Sequence, residues 1–314
     1  MNFTPVEANV TKDENYLEFL VTAVIKNMIV LFLSITILSV NATMVHTFKT
    51  HHILKLNPRY ILFINLVLND MIQLTISTSL YILAHVFRTL YVPLCVFFIF
   101  VVSLATINTP LILAFMAAEC YISVCFPLRY NNICTLKKTY IVVGIIWATS
   151  SLSVLLDIFI LVATEQQQFF NSRVFCDRDS LFRSSYSLNR RNAFHIFFLV
   201  LVWLTLFYTF FRILFVAKAA NADPTKARNT LLLHGFQVLL CMMVYVHPFL
   251  TPFLKDLIPE DRRSVNFTIY IMIQIIPRFL NPVVYGLRDK TFRRYLRRYC
   301  ICLQISFTKT TLKM

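Results

Sequence analysis

The chain has 314 residues, 58% of them hydrophobic and only 14% charged. A soluble globular domain carries about 25% charge, so neither an ordinary soluble fold nor a disordered chain fits, and three glycines leave no collagen or linker reading. The formal net charge of +15 does not point to nucleic acid, because the Lys and Arg residues gather in short loops and a tail between apolar runs, as on the cytosolic side of a membrane protein.

In chain order, the first 24 residues hold Glu7, Asp13, Glu14, Glu18 and one Lys. No basic segment precedes an apolar core there, so the first span is expected to serve as the targeting signal. Runs free of Asp, Glu, Lys and Arg follow at 27–48, 60–87, 89–118, 139–164, 192–211, 229–254 and 264–287, broken only by Asp70, Asp157 and Arg278. About 20 apolar residues cross a bilayer as a helix. Helix is required because lipid offers backbone groups no partners. The expected fold is an all-α membrane protein, a seven-transmembrane helix bundle with a short amphipathic helix after the last span. Its parts are an outer tail over 1–24, spans near 25–48, 58–84, 93–122, 139–163, 192–217, 228–250 and 265–287, and an inner helix and tail over 288–314.

An odd number of spans puts the termini on opposite sides. With the N-terminus outside, the inner pieces hold 18 basic residues against Asp223 and Asp289, and the outer pieces 11 basic against 10 acidic. The positive-inside rule then favours N-out, C-in, although residues 173–191 place five Arg outside. Asn2-Phe3-Thr4 and Asn9-Val10-Thr11 are glycosylation sequons on the outer tail. Asn41-Ala42-Thr43 also matches but lies within a span, where no modification is expected.

In the seventh span, Asn281-Pro282-Val283-Val284-Tyr285 matches the NPxxY motif of rhodopsin-like receptors. Pro282 removes a helix hydrogen bond and permits a kink. Asn281 and Tyr285 supply polar groups able to re-pair on rearrangement. Met116 to Tyr130, ending the third span, resembles the MAYDRYVAICxPLxY signature of odorant receptors. Asn57-Pro58-Arg59-Tyr60 with Asn65 to Asp70, Lys226 to Thr230 with His234, and Asn281 to Lys290 resemble further segments of that family, in its order. The chain is therefore identified as resembling an odorant receptor of the rhodopsin-like G protein-coupled family, and the stretch from Pro58 to Thr75 is most similar to the fish branch. The family's Asp-Arg-Tyr triplet is here Glu119-Cys120-Tyr121. The resemblance implies that the lost arginine locks the inactive state and contacts the G protein, and Cys120 makes no bidentate charged bond. Two outcomes stay open: a less locked receptor with basal activity, or altered coupling that is either weak or carried by Arg129 and the basic inner loops.

Asp70 sits mid-span, where a carboxylate is costly and functional by default. The resemblance pairs it with Asn281 as a conformational switch able to bind sodium. Arg278 is placed to pair with Asp70 or with inner polar groups. Asp157 follows Trp147 by ten residues, about 15 Å along a helix, and either faces a ligand or anchors the outer boundary. Cys95 and Cys176 are the two outer cysteines, and in an oxidising lumen they are expected to form a disulfide, as the resemblance also implies. Pocket candidates by helical depth are Val102, Ser103 and Thr106, with Tyr245 in the sixth span and Gln274 in the seventh. Asp157, His195 and the Arg-rich outer loop suit a charged, water-dissolved ligand. Beyond Arg288, a basic amphipathic segment with Phe292 and Tyr295 reads as lying on the inner leaflet, and Cys300 and Cys302 beside it are palmitoylation candidates.

No nucleophile–base pair, metal cluster or phosphate loop emerges, so an enzyme is rejected and no cofactor is expected. A transporter lacks its inverted repeat and broken helices. An amine receptor needs an acid in the third span, and residues 89–118 hold none. The expectation is a plasma-membrane receptor, N-terminus outside, for a small-molecule odorant. Its partner is the stimulatory olfactory G protein that raises cyclic AMP.

Overall fold

The computed structural model describes residues 5–87, 89–182, 185–219, 236, 262–288 and 293–294. The sixth span apart from residue 236, with Tyr245 and Cys241 in it, falls outside these residues, as do Asn2, Cys300 and Cys302 and the side chains of Asn9, His195 and Tyr285. The long helices are α1 (Pro5–Thr50), α3 (Pro58–Phe87), α4 (Val92–Cys125), α6 (Leu136–Thr164) and α9 (Ser185–Ala219). Short turns lie between them: α2 (His52–Lys55), α5 (Tyr130–Ile133), α7 (Gln167–Phe170) and α8 (Arg178–Leu181). The last span is α10 (Arg262–Tyr270), a π-helical turn over Ile271–Ile275, and α11 (Ile276–Arg288).

Among the described residues, five helices are long and apolar enough to cross a membrane, and Phe267–Val283 is a shorter apolar segment. Several of their hydroxyl residues are satisfied within the helix itself, as lipid requires. Thr36, Ser39, Thr43 and Thr47 each donate to the carbonyl four residues back, at 2.8 Å, so these four hydroxyls find their partners without water. Helix α1 continues outward to Pro5, through the segment expected to be a tail. Asn41 is fully buried within it, which removes that sequon from any modifying enzyme.

Helix starts follow from local chemistry. Asn57 accepts the Arg59 amide at 3.1 Å and Pro58 opens α3, a cap followed by proline at the first position. Thr135 caps α6 by accepting the Lys138 amide. Helix α4 ends just before Phe126-Pro127, because a residue preceding proline resists the helical conformation.

Helix α4 is the central post, packing on α3, α6 and α9, while α1 and α11 pack on α3. Phe63, Leu66, Leu104, Ile112, Leu113 and Ile146 form the main apolar core. Phe32, Phe159, Leu204 and Phe215 are exposed large apolar side chains suited to lipid. Trp147 donates its indole N–H to Asn65 at 3.1 Å, tying α6 to α3. At the outer end β1 (Leu90–Tyr91) pairs antiparallel with β2 (Arg173–Val174), Leu90 opposite Val174. Beside this pair Cys95 and Cys176 are joined by a disulfide, their Cα atoms 5.5 Å apart. The loop after α6 is thereby fastened to the top of α4, across 81 residues of sequence.

Candidate functional site

Three polar layers are stacked along α4. The innermost is built on Glu119, whose side chain is 6% exposed. Arg59 grips it twice, with Nε to Oε2 at 3.0 Å and Nη2 to Oε1 at 3.1 Å. The same Nη2 donates to Ser123 Oγ at 3.1 Å, and the Tyr130 hydroxyl donates to Glu119 Oε1 at 2.8 Å. A bidentate guanidinium with two further bonds is the strong form of ion pair. Burial and the Glu119 charge push the Tyr130 phenol well above its ordinary value, so it stays a donor. Cys120 is buried against Ile213 of α9. Tyr121 meets Tyr208 edge-on at 5.7 Å. Arg129 stands exposed at the end of the turn that follows.

The sequence singled out Glu119 but not its partner, 60 residues away. A signal existed: a lone arginine at the second span's inner end and a carboxylate without its family neighbour. Only packing brings the two together.

The middle layer holds Asp70. Asn281 donates Nδ2 to Asp70 Oδ2 at 2.8 Å, with both side chains buried. Arg278 is buried within electrostatic reach of Asp70 and donates to the Ile273 carbonyl. Pro282 lies inside α11 just beyond. Asn69 donates to the Ala105 carbonyl and to Thr109 Oγ1, each at 2.9 Å, and Asn108 donates to Asn69 at 3.3 Å. These bonds stitch α3 to α4 around the charge.

The outer layer separates the pocket candidates. Gln73 donates to Thr106 Oγ1 at 2.8 Å, and Thr106 donates to the Val102 carbonyl. The Thr106 hydroxyl is thus engaged in a contact between α3 and α4. Ser103 is buried one turn outward. Gln274 sits in the π-helical turn, its Oε1 buried with no hydrogen-bond partner among the described residues. π-turns are frequent at functional sites. Thr78 bridges Ser34 at 2.8 Å and the Tyr270 hydroxyl at 3.3 Å, and Tyr270 stacks on Tyr81.

Asp157, almost wholly buried near the outer end of α6, accepts from both Arg178 and Arg190. It joins α6, α8 and α9. Neither arginine was paired with it in the sequence reading. Among the described residues no cluster of His, Cys, Asp or Glu could hold a transition metal.

These layers sit on a chain whose relatives are recognisable. Residues 40–285 match the 7 transmembrane receptor (rhodopsin family) model. Odorant receptor 131-2 of Danio rerio is 30% identical over 270 residues, covering 85% of this chain and 83% of that protein. Olfactory receptor 1D2 of Homo sapiens is 27% identical over 215 residues, or 63% of this chain and 64% of its own. Human olfactory receptor 52R1 is 24% identical over 80% of this chain. The seven-helix architecture, the membrane setting and the absence of an enzymatic role follow from this kinship, and the chain belongs to the odorant receptors of the rhodopsin family of seven-transmembrane receptors.

Proposed function

We propose that a small odorant binds among the outer halves of the helices and drives a stimulatory heterotrimeric G protein, raising cyclic AMP. The observation that carries this reading is the buried Asp70–Asn281 bond, at 2.8 Å, in the middle of the bundle. It joins α3 to the last span, which carries Pro282 inside its helix, between a disulfide-fastened end and a charged end. A ligand shifts such an equilibrium only through different affinities for the two arrangements. Ser103, Val102 and Gln274 are the candidate contacts; His195 and Tyr245, proposed from the sequence, lie outside the described side chains. The bond between Cys95 and Cys176 supports N-out topology, because disulfides persist on the oxidising side, and α4 begins on the side where α1 begins. Glycans on Asn2 and Asn9 belong on that face, and palmitate on Cys300 and Cys302 belongs on the opposite one.

Sodium fits the middle layer: Asp70 Oδ1 is buried with no hydrogen-bond partner among the described residues, a hard oxygen suited to a hard cation. Asp70 would hold the ion, which would supply charge neutralisation beside Asn281.

The test is cyclic AMP in cells expressing the chain with the olfactory G protein, across a panel of water-soluble odorants, with surface expression measured. A dose-dependent rise is expected. Ion or solute flux without any G protein response would instead indicate a channel or transporter.

A further inference from the structure

We infer that Arg59 is the latch of this receptor's inner face, holding from the second span the carboxylate that no arginine accompanies at position 120. Arg59 is fixed by its own helix start: its amide is bound to Asn57 and Pro58 precedes it. A cation in the first turn of a helix opposes the helix dipole, so this site gains nothing from α3 alone. What compensates it is Glu119, a nearly buried carboxylate whose charge needs a partner out of water.

The contact joins three elements at once. Arg59 comes from the start of α3, Glu119 and Ser123 from the last turns of α4, and Tyr130 from α5 in the following inner loop. Immediately beside it Cys120 packs on Ile213 and Tyr121 on Tyr208, so the inner end of α9 is closed against α4 in the same arrangement. Any movement that parts α3 from α4 breaks both guanidinium bonds to one buried charge, and lifting the loop at Tyr130 breaks a third. The latch therefore favours the closed inner face, and its loss shifts the population toward the open one. The inference rests on the reading that this face receives a G protein.

The experiment measures ligand-free output per receptor at the cell surface for Arg59→Gln, Glu119→Gln, Tyr130→Phe and the exchanged pair Arg59→Glu with Glu119→Arg. Output is read as cyclic AMP and as recruitment of minimal Gα domains from each of the main G protein classes. Both Gln variants are expected to raise basal output about tenfold, a factor that corresponds to 1.4 kcal/mol. Tyr130→Phe keeps the ion pair and gives a smaller rise. The exchanged pair returns output close to the native level, which a merely structural role for Arg59 would not predict. Raised recruitment of another Gα class with flat cyclic AMP keeps the latch and removes the stimulatory coupling. Flat output in every assay at native surface levels overturns the latch. So does a rise that the exchanged pair fails to reverse.

Discussion

Asp70 and Asn281 place a carboxylate and its donor in the middle of the bundle, where no solvent substitutes for a lost bond. Asn281→Ala leaves a buried acceptor without its donor, at a cost of about 1–3 kcal/mol. It should lower the thermal midpoint of the purified receptor and abolish the odorant response, whereas an unchanged midpoint would mean that the bond is not formed. Cys134 reports on the inner layer. Burial, and next the Glu119 charge, push its thiol above the usual range, while Lys138 and Arg59 pull it down. A raised value means that the reactive thiolate is scarce at neutral pH. Alkylation of Cys134 should therefore set in only above the ordinary thiol range. Glu119→Gln removes a raising charge and leaves the Arg59 cation in place, so the onset should move to lower pH. Mass spectrometry of the labelled peptide against pH checks both statements, and an onset that stays put in the variant would place Glu119 elsewhere.

At the scale of the elements, legibility in the sequence followed range of interaction. The spans were readable because a lipid-facing helix must be apolar over its whole length, and the charge-free runs match α1, α3, α4, α6 and α9. The disulfide was readable because the span count left Cys95 and Cys176 as the two cysteines expected on one side. Asp70 and Asn281 were readable through local motifs. Partners set by packing were not. Nothing in the order of residues says that Arg59 meets Glu119, that Gln73 occupies Thr106, or that Asp157 gathers Arg178 and Arg190. The same holds for the outward extension of α1 to Pro5, which acidic residues had marked as tail. The Asp157 cluster makes a prediction of its own. Removing one partner of a buried pair costs about 3–5 kcal/mol, and the arginines, 22–23% exposed, keep some water. Asp157→Asn should thus destabilise toward the lower end of that range, seen as a lower thermal midpoint and faster proteolysis of the connection between α6 and α9. Proteolysis at the native rate would show that the cluster does not hold the loop.

Over the whole molecule, the three layers connect an outer end fastened by a disulfide to an inner end fastened by an ion pair, along one central helix. The sequence left open whether Cys120 unlocks the receptor or silences it. The structure supplies a cation for Glu119 from α3, so neither consequence is forced by the missing arginine. The most direct test of the account runs the native chain beside Cys120→Arg in cells with the stimulatory olfactory G protein, recording cyclic AMP across the odorant panel at matched surface expression. The account predicts a ligand-dependent rise in the native chain, with low basal output. A rise confined to Cys120→Arg would contradict it, because the native inner face would then lack a working switch.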